Sequence, residues 1–236
     1  MHRVESTFAS EWGRADMYER ISDLDFRYID IHFLQENEMA FIRTIPPSDA
    51  EGLVREMYQQ AHSRFGYVPN WMQAFSLRPE VRDGWATLQR SIQSNLSVRS
   101  YELATLAAAR ALRSSYCSLA HGSVLADKVF DAATVTAIMK DAPAAPLEPR
   151  ERAMMAFVEK VVLNADRITS ADIEALRSHG YQDEEIFDVA ATAAARCFFS
   201  KLLDALGVQP DSTFNDLEPT LRQALTVGRP VADPPE

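Results

Sequence analysis

Only two cysteines, Cys117 and Cys197, occur in 236 residues, and they stand eighty positions apart, so no disulfide framework holds this chain together. Glycine is sparse at 8 residues while hydrophobic residues make up 47%, which disfavours a fibrous or disordered chain. No apolar run approaches the roughly 20 residues needed to span a bilayer, and the stretch MHRVESTFASEW lacks the apolar core of a secretory leader. Lys and Arg form no dense cluster. A formal net charge of −10 and a pI near 5.0 have the wrong sign for nucleic acid, whose phosphates need clustered cations. Neither a glycine-rich phosphate loop nor a serine-nucleophile elbow appears, which argues against a nucleotide cofactor. His32, His62 and His179 have no second ligand three or four residues away, so metal binding is disfavoured and a surface role is expected for them. What these absences leave is a cytoplasmic globule with reduced thiols, no cofactor, no nucleic acid and no membrane as partner.

Strand-like alternation of useful length is missing, and the apolar period from Pro46-Pro47 onward is helical, so an all-α fold is expected. Ser48 with Glu51 three residues on reads as a capping box for a helix running to about Ser63, broken by Gly66 and Pro69. Pro79 starts the next, in which Val81, Trp85, Leu88 and Ile92 repeat at helical spacing and read as core. Ser97 caps the helix that carries Glu102. The proline-rich DAPAAPLEPR at 141–150 divides the chain into two helical halves, and helices follow at about 148–164, 170–178 and 183–205, with stop signals at Gly180 and Gly207. Residues 1–40 read as an N-terminal extension or arm, and residues 41–236 as one helical domain. The arm's apolar positions, Phe26 to Leu34 among them, imply packing against a neighbouring subunit or back on its own domain.

The stretch YELATLAAARALRSSYCSLAH carries the chemistry. Ser114, Cys117 and His121 fall at i, i+3 and i+7, one face of a helix, which places a thiol beside a base. A thiolate, not a thiol, is the nucleophile, and both a helix N-terminus and a nearby protonated base favour it. Free cysteine is also a common core residue, so spacing alone leaves a packing role open. Glu102 weighs against that role: a carboxylate in the apolar run ELATLAAARAL is costly without a partner, for which His121, Arg110 and Arg113 are the candidates. If the helix ran straight from Glu102 to Cys117, about 22 Å would separate them at 1.5 Å per residue, too far to share a proton. The chemistry therefore requires a break at Arg113-Ser114-Ser115, which would also put Cys117 in the first turn of a new helix.

The pattern Glu102…Ser114-x-x-Cys117-x-x-x-His121 resembles the Glu…Cys-x-x-Cys-x-x-x-His signature of the alkyl hydroperoxidase D and carboxymuconolactone decarboxylase family, with Ser114 where that family has its first cysteine. GYVPNWMQAFSLRPEV, residues 66 to 81, resembles the peroxidase-related branch, as do ERAMMAFVEKVVLN, ITSADIEALRSHGYQDEEIFDVAATAA and FFSKLLDALGV, with Ser200 and Lys201 where Asn-Arg is usual. The resemblance covers about residues 41 to 210 and implies an alkyl hydroperoxidase D-like helical bundle that assembles as a homo-oligomer, a trimer or hexamer.

It further implies a peroxidase, an antioxidant oxidoreductase, in which Cys117 attacks a hydroperoxide, His121 is its base and Glu102 orients the base or accepts the proton. Ser114 cannot resolve a sulfenic acid as a disulfide. Three activities stay open: a one-cysteine hydroperoxide reductase cleared by an external thiol reductant, an acid–base enzyme of the decarboxylase type acting on a small carbonyl or lactone substrate, and a non-catalytic relative that keeps the pocket as fold. Cys197 reads as core packing, or as a distant resolving thiol if the fold brings it within about 7 Å, Cα to Cα, of Cys117.

Overall fold

The computed structural model describes residues 39–140 and 145–234. The expected arm, His32 included, falls outside the described residues apart from positions 39 and 40, and so does the start of the proline-rich connection at 141–144.

Among the described residues the chain is helical throughout, without a strand. Helix α1 spans Gly52–Phe65 and ends where Gly66 adopts φ 81° and returns its N–H to the His62 carbonyl at 2.8 Å. Its start corrects the expectation for Ser48: Pro47–Asp49 forms a separate 3-10 turn, the Ser48 hydroxyl is spent on Asp49 at 2.8 Å, and Glu51 is the N-cap. Helices α2 (Asn70–Ala74) and α3 (Pro79–Gln93) follow, then α4 (Val98–Leu112), whose first turn is capped by Ser97 accepting from the Ser100 N–H at 3.1 Å. Helices α5 (Ser115–Lys128) and α6 (Ala132–Lys140) complete the first half. The second comprises α7 (Pro149–Asn164), α8 (Ser170–Ser178), α9 (Asp183–Ala205) and α10 (Pro219–Leu225), with Gly180 and Gly207 at positive φ after α8 and α9. Reciprocal capping boxes Glu148/Glu151, Thr169/Asp172 and Gln182/Glu185 set the starts of α7, α8 and α9.

Helix α4 is the central element of the described domain. Leu103, Ala104, Leu106, Ala107, Ala108 and Ala109 are fully buried, and its small side chains let α5, α7 and α9 approach closely on different sides. Leu103 and Leu106 each contribute roughly 1.5–3 kcal/mol by leaving water, so truncating either to Ala would cost about 2–5 kcal/mol once the cavity is counted. A second apolar cluster joins α1, α2 and α3 to the start of α5 and the end of α9, and Cys117 belongs to it. A pocket, described below, is lined by residues of that second cluster. Only part of α3 contributes: Trp85 and Ile92 are buried, but Val81 and Leu88, expected in the core, are 43% and 49% exposed because α3 meets α9 mainly around Trp85.

The break between α4 and α5 is where the chain commits its motif. Arg113 takes a left-handed conformation (φ 56°), unusual for a side-chain-bearing residue, and its N–H returns to the Arg110 carbonyl. Gly228 buttresses this turn: a Cβ there would lie 2.0 Å from the Arg113 carbonyl oxygen, and its N–H donates to Ser115 Oγ at 2.7 Å. No helix among the described residues is long and apolar enough to cross a membrane.

Candidate active site

Because the chain turns at Arg113, α5 runs back beside α4 and carries His121 onto Glu102. His121 Nδ1 lies 2.5 Å from Glu102 Oε2, and both side chains are largely buried. The other ring nitrogen, Nε2, lies 3.1 Å from Arg196 Nη1 on α9. A guanidinium can only donate, so Nε2 accepts and Nδ1 carries the proton toward the carboxylate, which fixes one neutral tautomer. Burial pushes the imidazole below its ordinary value of 6.5; Glu102 pulls it back up and the Arg196 charge lowers it. Of the three partners open to Glu102, the structure selects His121: Arg110 instead pairs with Glu159 and the Ile138 carbonyl, and Arg113 forms the turn.

Cys117 occupies the third position of α5, where the first-turn N–H groups and the helix dipole favour an anion. The residue is 1% exposed, and its sulfur accepts a hydrogen bond from Ser200 Oγ at 3.1 Å. Ser200, on α9, is thus the residue that donates to the Cys117 sulfur. Among the described residues, Cys117 and His121 share a face of α5 without a direct bond, since the imidazole is held by Glu102 and Arg196. Ser114 is the N-cap of α5 by position, yet its hydroxyl makes no cap bond; it is buried without a well-formed hydrogen bond, close enough to Asp204 to steady that carboxylate. Cys197 is a free, partly exposed thiol whose acidity burial weakens, and it does not line the pocket described below.

A pocket of about 320 Å³ opens onto this pair. Cys117, Ala120 and His121 of α5 form one wall, Arg196 and Phe199 of α9 a second, and residues of α1, α2 and α3, including Arg64, Trp71, Arg82 and Trp85, the remainder. Trp85 stacks on Phe199 at 4.9 Å, and Trp71 meets Phe199 edge-on at 5.5 Å. Trp85, expected only as core, is also a face of this cavity.

Two positioning groups escaped the sequence reading. Arg196 is 2% exposed; besides His121 it donates to the Tyr101 hydroxyl at 3.0 Å and lies over the Trp85 ring at 4.9 Å. The signal that could have found it is the one used for Glu102, a charge inside an alanine-rich helix, ATAAARCFF. Asp211 is the second. It accepts from the Asn70 N–H at 2.7 Å, the Tyr116 hydroxyl at 2.5 Å and the Tyr67 hydroxyl at 3.2 Å, so it ties the start of α2 to the first turn of α5 beside Cys117. Burial pushes its carboxyl up despite those three donors, and burial with the Asp211 charge pushes the Tyr116 hydroxyl well above its ordinary value of 10. His62 and His179 are exposed, and no cluster of metal-ligating side chains occurs among the described residues.

No family model matches the chain, and no curated protein matches it. Solved structures do. A peroxidase-related protein from Ralstonia eutropha JMP134, described as an alkylhydroperoxidase AhpD core, is 24% identical over 75% of this chain and 95% of its own, with a TM-score of 0.69. A peroxidase-related protein from Silicibacter sp. TM1040 is 22% identical over 77% and 97%, with a TM-score of 0.68. The debrominase Bmp8 is 16% identical over 80% and 96%, with a TM-score of 0.61. The chain therefore has the all-α fold of the alkylhydroperoxidase AhpD core.

Proposed function

We propose that this protein is a thiol-dependent hydroperoxide reductase with Cys117 as its single peroxide-reducing residue. The observation that carries the reading is the placement of Cys117: first turn of α5, on the pocket wall, its sulfur accepting from Ser200, with a carboxylate-gripped imidazole one turn further on. The Cys117 sulfur attacks the terminal oxygen of a hydroperoxide, the O–O bond breaks, and the thiol proton ends on the leaving alkoxide, giving a sulfenic acid and an alcohol. His121 relays that proton through Nε2, exchanging its bond to Arg196 for one to the substrate, while Glu102 holds Nδ1 and steadies the imidazolium. With Ser114 unable to condense with the sulfenic acid, two equivalents of an external thiol complete the cycle, releasing water and a disulfide. A homo-oligomer, a trimer or hexamer, is the assembly we expect, and light scattering of the purified chain tests it.

A second reading rests on one feature, the neutral imidazole bonded to a buried carboxylate, which suits proton transfer next to a carbonyl or lactone without redox change. That the debrominase Bmp8 shares the fold is in keeping with chemistry other than peroxide reduction in it. Hydroperoxide consumption in the presence of a dithiol separates the two. The reductase reading expects turnover that vanishes in Cys117→Ser and falls about 10²–10⁴-fold in His121→Ala. Turnover of any substrate retained in Cys117→Ser and lost in His121→Ala would replace it with the acid–base reading.

A further inference from the structure

Arginine is the recurring charged residue of the pocket. Arg64, Arg82 and Arg196 border it from three helices, and among the described lining residues there is no aspartate or glutamate. That is against the trend of a chain with 34 acidic and 24 basic residues. The three cations are also incompletely matched. Among the described residues Arg196 has no carboxylate partner of its own: its terminal nitrogens serve His121 and Tyr101, and its Nε is buried without a hydrogen bond. Arg82 reaches the exposed Asp83 through Nη1 at 2.9 Å, leaving its Nε likewise buried and unpartnered. Arg64 lies over the Phe65 ring at 5.1 Å, with no ion pair among the described residues.

A cavity bordered by three guanidiniums and by no carboxylate favours an anionic occupant, whose charge their terminal nitrogens can meet. Beside them the walls are flat and apolar, formed by Trp71, Trp85 and Phe199. We propose that the pocket binds a small carboxylate carried on an aromatic or alkyl body, its carboxylate on Arg82 and Arg196 with Arg64 drawing it in, its body against the aromatic faces, and its far end at Cys117. This names the substrate class for the site proposed above, and it rests on that pocket being where Cys117 meets its substrate.

Binding, not turnover, tests it, so a failed peroxidase assay leaves it standing and the reverse also holds. Benzoate and its neutral isostere benzamide are titrated against the intact chain by tryptophan fluorescence, which Trp71 and Trp85 make sensitive to the pocket, with inorganic phosphate as the bare-anion control. Benzoate is expected to bind at least about tenfold tighter than either, the worth of one charge-assisted hydrogen bond. It is also expected to slow iodoacetamide alkylation of Cys117. Arg82→Gln, at a partly exposed position that leaves the core untouched, should abolish the preference for benzoate, and Arg64→Gln should weaken it and flatten its salt dependence. Equal binding of benzamide or phosphate, an undiminished preference in Arg82→Gln, or benzoate binding that leaves Cys117 alkylation unchanged would each overturn the proposal.

Discussion

Arg196 Nη1 donates to His121 Nε2 across 3.1 Å, on the ring edge opposite the one that faces Glu102. One imidazole is thus gripped by a cation and an anion at once, from two different helices. The carboxylate raises the proton affinity of the ring while the guanidinium and burial lower it, and the lowering prevails.

Removing the cation should therefore show in the ring itself. In Arg196→Met the His121 imidazole is expected to titrate at higher pH than in the parent, followed by the shift of its Hε1 proton in NMR and assigned by its disappearance in His121→Gln. A titration that stays put or moves down would mean that Arg196 does not hold the ring neutral.

The same group links stability to pH. His121 sits below 6.5 when folded and near 6.5 when unfolded, so in that window the unfolded chain binds the extra proton and acid favours unfolding. Its contribution is complete above about pH 6.5 and is lost as the pH falls through the window beneath. Asp204 and Asp211, raised by burial, act in the opposite sense at lower pH, because the folded chain protonates first. Melting temperatures between pH 7.5 and pH 5.5 should decline in the parent and decline less steeply in His121→Gln; parallel curves would contradict this assignment.

Ser200 donates to the Cys117 sulfur at 3.1 Å. Replacing Ser200 by Ala removes a bond worth about 1 kcal/mol, a factor of roughly five, while leaving a side chain of nearly the same size. Alkylation of Cys117 by iodoacetamide at pH 7 is expected to slow by about that factor. Faster alkylation would show that the hydroxyl shields the sulfur rather than activating it.

Ser114 stands three residues before Cys117 at the head of α5, a spacing whose Cα separation falls within the roughly 4.4–6.8 Å that a disulfide accepts. Ser114→Cys should accordingly lose two hydrogens of mass on treatment with one equivalent of hydroperoxide, whereas the parent gains one oxygen. A variant that gains oxygen and forms no internal bridge would show that the buried N-cap holds its side chain away from Cys117.

The local features of this fold were legible, and the tertiary ones were not. Helices at 170–178 and 183–205 and the cap at Ser97 follow from residues that punctuate the chain, and the break at Arg113 follows from the distance between Glu102 and Cys117 on a straight helix. The pairing of Glu102 with His121 was among the partners a buried carboxylate demanded. Arg196 and Ser200 were not seen as site residues because only packing reveals that this face of α9 meets α5, one turn of the helix joining the two positions. Ser48 misled for a nearer reason: Pro47 bends the chain into its own turn and Asp49 takes the hydroxyl. At Val81 and Leu88 the helical period was right, but α3 finds too little neighbouring surface to bury its whole stripe.

Intact-protein mass spectrometry after one equivalent of a hydroperoxide, with dimedone present to trap sulfenic acid, reads the central claim at the atom concerned. A single dimedone adduct mapped to Cys117, absent in Cys117→Ser and much slower to form in His121→Ala, is the result this account predicts. Recovery of Cys117 unmodified, or an adduct confined to Cys197, would contradict it.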